Sequence, residues 1–315
     1  MKKLSVFRTE LMGGAILLVV LFHMCFRIDN NGIVYIPITH GMIGVDIFFL
    51  LSGIGLYFSL YNGQSLKKYY IKRFKRIFPF YSFVIFVTNI IAGTFTLRGF
   101  VLKSTTIGYW LTNEYHDWYV PNLILSYICF PIWYKIVSRN LYLSTFLWSI
   151  VTLIILIIPK STHVDFMSVT RYPSLLLGGL LGHYLCKEKE IKHFHIIAWS
   201  LFCVGLIVLI GLHNSLNNWQ LIENGWLFKP HIFMTVGCCF FFLVVIRYFI
   251  ILKKILFFFG CMSFEVYLLH GVFVGYGLLI SEHFDLPRVF TGSIFLLFSF
   301  ATAWLCHLIN KRYFS

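Results

Sequence analysis

Residues 42–62 read MIGVDIFFLLSGIGLYFSLYN. One acid, Asp46, interrupts a run that is otherwise apolar or small. A helix needs roughly 20 mostly apolar residues to cross a bilayer, so this stretch predicts a membrane span. Nine further stretches predict spans in the same way, at 11–27, 77–95, 118–137, 141–159, 170–186, 194–213, 230–250, 255–280 and 288–309. The first follows Met1-Lys2-Lys3 as a secretory signal would, but Glu10, His23 and Arg27 interrupt it and no small-residue cleavage site follows. It is read as a span.

The composition agrees. Of 315 residues, 59% are hydrophobic, 19% aromatic and only 12% charged, with a mean hydropathy of +0.81. Soluble domains carry about 25% charged residues, and half of that cannot cover a surface in water. A secreted disulfide scaffold, a disordered chain and an ordinary cytosolic enzyme are excluded. The net charge of +14 does not point to nucleic acid, because Lys and Arg accumulate on the cytoplasmic side of membrane proteins. The eight cysteines lie nearly all in apolar runs with no C-x-x-C pair, as small buried hydrophobes do.

Orientation follows from the basic residues. With the N-terminus inside and ten alternating spans, 19 of the 26 Lys and Arg fall on the inner face. The expected fold class is an all-α integral membrane protein with about ten transmembrane helices, both termini cytoplasmic, forming one domain over 1–315. Gly178 and Gly182 give a G-x-x-x-G spacing that lets helices approach closely.

Ionisable groups inside the apolar layer are functional candidates by default. His23 and Asp46 each lie ~6 Å below the outer boundary of successive spans at 1.5 Å per residue, so they can meet. A carboxylate on one imidazole nitrogen would support the other as a base. A polar clasp between helices, or an Asp46 that caps its helix, is the alternative. Residues 67–76 carry six basic side chains, among them Arg73 and Arg76. These read as a bidentate phosphate site or as an anchor to anionic lipid headgroups. His116-Asp117-Trp118-Tyr119 reads as an interfacial aromatic belt or as a platform for a sugar. Glu265 and His270 are five residues apart and face different ways; Glu265 is placed ~15 Å from the inner end of its span. No nucleotide-binding loop, dinucleotide fingerprint or metal-ligand cluster is present in the sequence.

Four pieces carry a resemblance. They are GAILLVVLFH at 14–23, GVDIFFLLSG at 44–53, RFKRIFP at 73–79 and SFEVYLLH at 263–270. Together they resemble the bacterial acyltransferase-3 family of integral membrane enzymes that O-acetylate cell-envelope and secreted polysaccharides. The resemblance implies ten helices, His23 as catalytic base with Asp46 as its partner, and Arg73 and Arg76 as contacts to the phosphates of acyl-CoA. Ser52, Glu265 and Trp118 are further candidate substrate contacts. The family's basic residue eleven positions before the histidine falls on Met12, and Arg8 lies one turn earlier. Its Trp-Ser-Leu…Glu stretch is replaced by Trp118-Tyr119-Val120-Pro121-Asn122.

The implied donor is acetyl-CoA, as a substrate, with no metal. The implied partners are a saccharide acceptor, membrane lipids and a polysaccharide-assembly machinery, with no nucleic acid, in the bacterial cytoplasmic membrane. Transfer would be direct or through an acyl-histidine. A saccharide transporter is the rival reading, and would show paired halves with broken helices; no such repeat is found in the sequence.

Overall fold

The computed structural model describes residues 1–25, 39–112, 116–158, 166–215 and 228–313. Arg27 and the end of the fifth expected span, at 159, lie outside them. Among the described residues the chain is all helix and turn, with no strand.

Seven helices among the described residues are long and apolar enough to cross a membrane. They are His40–Tyr61, Leu66–Ile91, Tyr119–Arg139, Phe194–His213, His231–Tyr248, Ser263–Phe284 and Arg288–Asn310. Leu141–Ile157 is apolar but shorter, and Arg8–Cys25 and Tyr172–Cys186 have 18 and 15 residues. Two boundaries differ from expectation. The third helix begins at Leu66 and not at 77, so the basic run forms its first turns. A charged stretch need not end a helix, because Lys and Arg are good helix formers whose long stems lie along apolar surface. The stretch 255–280 is two helices, Ile250–Cys261 and Ser263–Phe284, separated at Met262. Gly260 and Ser263 flank this break, and neither residue favours a helix interior.

The chain divides into two compact units. One comprises Met1–Ala15, Met42–Ser65 and Ser126–Gly260; the other comprises Ile16–Gly41, Leu66–Leu125 and Cys261–Ser315.

In the first unit, Ile43–Tyr61 is apolar on nearly every face and packs along Tyr172–Cys186. Of the residues in its membrane-length window, 83% are buried, against 17% for Phe194–His213, whose apolar side chains face outward. The two packed helices cross backbone to backbone. A Cβ at Gly53 would run into the Leu175 carbonyl, one at Gly178 into the Leu50 carbonyl, and one at Gly182 would come 2.6 Å from Tyr57 Cβ. The G-x-x-x-G spacing is therefore a packing device. A second crossing is equally close: Gly13 lies against the Leu256 carbonyl and Gly260 against that of Thr9.

The same unit holds a buried lysine. Lys229 Nζ donates to the carbonyls of Leu156 and Ile158 at 2.9 and 3.0 Å. It thus places a cation at the C-terminus of Leu141–Ile157, where the helix dipole is negative and carbonyls lack partners.

In the second unit, Ser263–Phe284 and Arg288–Tyr313 form a helical hairpin. Asp285 takes the left-handed conformation at φ 51° that ends the first helix. The Leu286 N–H bonds the Ser281 carbonyl, and Ser281 Oγ donates to the Leu286 carbonyl at 2.6 Å. Pro287 then precedes the second helix, where a missing N–H costs nothing. Leu66–Ile91 packs on Ser263–Phe284, and the Tyr119 and Tyr267 rings lie 4.4 Å apart.

Candidate functional site

His23 sits in the last turn of Arg8–Cys25 and meets His270 of Ser263–Phe284, although 247 residues separate them. His23 Nδ1 lies 2.9 Å from the Val19 carbonyl. His270 Nδ1 lies 2.7 Å from the Tyr267 carbonyl and 3.1 Å from that of Val266. Carbonyl oxygens only accept, so in the neutral rings each Nδ1 carries the proton and donates. Both Nε2 atoms then carry lone pairs. That of His270 faces His23 Nδ1 at 3.2 Å, with the rings nearly perpendicular and their centroids 4.7 Å apart. His23 is half-buried and His270 is 3% exposed. A histidine held as the Nδ1–H tautomer presents a basic Nε2, which general-base chemistry requires.

Polar and aromatic groups continue from this pair. The Tyr267 ring lies 5.7 Å from His270 and the Tyr81 ring 6.3 Å from His116. Asp117 Oδ1 accepts from the Val120 N–H at 2.8 Å, at the start of Tyr119–Arg139. Burial raises the Asp117 pKa to about 6, against the opposing hydrogen bond from the Val120 N–H. Burial, and then the Lys103 ammonium, lower that of His116. Trp118 is half-buried, edge-on to Tyr119, and its carbonyl accepts from Asn122 Nδ2 at 2.6 Å.

Arg73 and Arg76 stand one turn apart on Leu66–Ile91. The Arg73 guanidinium lies 4.0 Å above the Tyr69 ring and Nη1 donates to the Tyr69 carbonyl at 3.2 Å. Arg76 is exposed, as are Lys67, Lys68, Lys72 and Lys75. Glu265 is buried and accepts from His307 Nδ1 and Asn310 Nδ2, each at 3.3 Å. It lies in the first turn of its helix, not deep within a span, because the chain breaks at Met262. Its partner differs from that of His270, as their five-residue offset requires.

The remaining expected residues belong to the first unit. Asp46 is fully buried and ion-paired with Arg171, itself fully buried. Ser174 Oγ donates to Asp46 at 3.4 Å and His231 Nδ1 lies 3.9 Å away. The Arg171 guanidinium faces the Phe228 ring at 5.6 Å. Arg171 is one of the seven basic residues that the orientation count leaves off the inner face, and its burial was not foreseen. The signal was present, since Arg171 lies inside the apolar stretch 170–186 and a charge there demands a partner. His23 Nδ1 contacts the Val19 carbonyl and His270, and Asp46 is ion-paired with Arg171 within its own unit. Ser52 is 6% exposed beside Gly53 in the glycine crossing. Arg8 Nε donates to the Leu51 carbonyl at 3.2 Å, and Met12 is buried. Among the described residues no cluster of three or more metal-ligating side chains forms.

Compared with known proteins, residues 13–310 match the family model of the acyltransferase-3 domain. No curated protein and no solved structure matches the chain.

Proposed function

The chain belongs to the acyltransferase-3 family, and we propose that it moves an acetyl or other short acyl group from acyl-CoA to a hydroxyl of a cell-surface or secreted saccharide. The observation that carries this reading is the tautomer of His23, whose Nδ1–H is committed to the Val19 carbonyl and whose Nε2 holds the lone pair. In the proposed step His23 Nε2 takes the proton of the acceptor hydroxyl as its oxygen attacks the thioester carbonyl. The tetrahedral intermediate then collapses, the carbon–sulfur bond breaks, and the imidazolium returns the proton to the leaving thiolate as free coenzyme A. Such acid–base assistance contributes about 10²–10⁴-fold.

The other expected residues enter as parts of the same proposal. Arg73 and the exposed Arg76, at the head of a helix rich in cations, suit the donor's phosphates. Trp118, with Tyr119, offers an aromatic face to the sugar acceptor. Glu265, Ser52 and Asp46 are polar groups held in the apolar bundle, and Asp46 with Arg171 forms a closed charge pair. We take 1–315 as one membrane domain of ten spans with both termini in the cytoplasm, supported by the 19 basic residues on that side. The membrane would then be a bacterial cytoplasmic membrane, and a polysaccharide-assembly machinery would supply the acceptor.

The test is the O-acetyl content of the host's surface polysaccharide, read by proton NMR before and after mild base. A deletion strain and a strain carrying membrane-inserted His23→Ala should both lose the acetyl signal. Loss in the deletion alone removes His23 from the mechanism. Intact acetylation with altered export of the polysaccharide would make the protein a transporter.

A further inference from the structure

We infer that His270 is the positioning partner of His23, an imidazole in the place where many catalytic histidines have a carboxylate. The inference rests on the acyltransferase reading of His23 and adds a residue to which nothing in the family resemblance gave a role.

The geometry leaves His270 one arrangement. Two carbonyls of its own helix, Tyr267 and Val266, claim the Nδ1 proton, which fixes both the tautomer and the ring. Its Nε2 lone pair is therefore aimed at His23 Nδ1–H, 3.2 Å away. His23 shares that proton between this lone pair and the Val19 carbonyl. The ring of His23 thus has two acceptors on its Nδ1 side.

Charge development makes the partner matter more. When His23 Nε2 gains a proton the ring becomes a cation in an apolar bundle, and a buried cation needs a hydrogen-bonded acceptor. His270 Nε2 supplies one beside the Val19 carbonyl. Full transfer of the Nδ1 proton to His270 is disfavoured, because it would leave a lone pair on His23 Nδ1 facing the Val19 carbonyl oxygen at 2.9 Å. The proton therefore stays on His23, ready to be returned to the leaving sulfur. A neutral partner stabilises the imidazolium less than a carboxylate would. That suits a base that must give its proton back within the same cycle. His270 is 3% exposed and acts through His23.

The experiment uses full-length protein in detergent, acetyl-CoA as donor and host polysaccharide stripped of acetyl groups by mild base as acceptor. Coenzyme A release is followed for wild type, His23→Ala, His270→Ala and His270→Gln, each shown folded by its thermal transition. Loss of an orienting partner costs about 10–100-fold. His270→Ala should lose that factor in kcat with KM for acetyl-CoA unchanged, and His270→Gln, whose side-chain oxygen can accept from His23 Nδ1, should regain most of it. Wild-type kcat in His270→Ala, or a glutamine variant no better than alanine, overturns the inference while His23→Ala is inactive. Full activity in His23→Ala instead overturns the acyltransferase reading on which it stands.

Discussion

Two polar clusters, one in each unit, deal with charge in opposite ways. Asp46 and Arg171 are opposite full charges, both inaccessible, with Ser174 and His231 closing the set. His23 and His270 are two imidazoles in direct contact, each with its Nδ1 against a backbone carbonyl. The first cluster sets opposite charges against each other. The second brings two titratable rings together with no opposite charge between them. A buried polar group is thus a poor guide to chemistry until its partners are known, because ion pairs inside apolar surroundings serve structure as readily as reaction.

The sharpest way to break the comparison is to remove one half of the charge pair. Asp46→Ala strands the Arg171 cation and should lower stability by about 3–5 kcal/mol, measured by thermal unfolding in detergent. Asp46→Leu combined with Arg171→Leu should recover most of the loss. An Asp46→Ala protein that unfolds like wild type yet transfers no acetyl would move Asp46 into the reacting set.

A smaller effect separates the same two helices without touching a charge. Gly178→Leu sets a side chain against the Leu50 carbonyl and Gly53 Cα and should cost about 1–3 kcal/mol. Gly211→Ala, where a Cβ meets nothing within 4 Å, should be neutral or gain up to about 1 kcal/mol from helix propensity. If both variants unfold alike, the close crossing is not what holds this unit.

The smallest effect lies at Asp117. Its pKa is raised to about 6 by burial, so the fold favours the neutral carboxyl. The stabilisation is complete below the ordinary value of 3.8 and is lost as pH rises through 6. The melting temperature of wild type should therefore fall more between pH 4 and 7 than that of Asp117→Asn. Asp117→Ala also deletes the bond to Val120 and should cost about 0.5–2 kcal/mol at any pH in that range. Parallel pH curves for wild type and Asp117→Asn would show that the carboxyl is hydrated.

The helical membrane class was legible in the sequence because apolar runs of span length leave few alternatives in water. Helix boundaries were less so. The third span was placed from 77 but its helix begins at Leu66, and the break at Met262 left no apolarity signal. Of the paired histidines, His23 was singled out by its motif and depth, whereas His270 was noted only for its offset from Glu265. The five-residue offset from Glu265 correctly placed the two on different faces, toward His307 and toward His23. Sequence separation gives no information on which of many helices is the neighbour, so the partner across 247 residues could not be read. Arg171 was missed because the orientation count assigns a basic residue to a face and not to a partner.

The lysine that closes Leu141–Ile157 imposes an order of assembly. A 17-residue helix rises about 25 Å, short of the roughly 30 Å of a bilayer's hydrocarbon. The cation that satisfies the carbonyls at its end comes from a residue more than seventy positions later in the chain. While the ribosome is still making the intervening segment, that helix end is incomplete, so it settles only once residue 229 has arrived. Chain release before that point should leave an intermediate whose fifth helix is open to hydrogen exchange at its C-terminal turn.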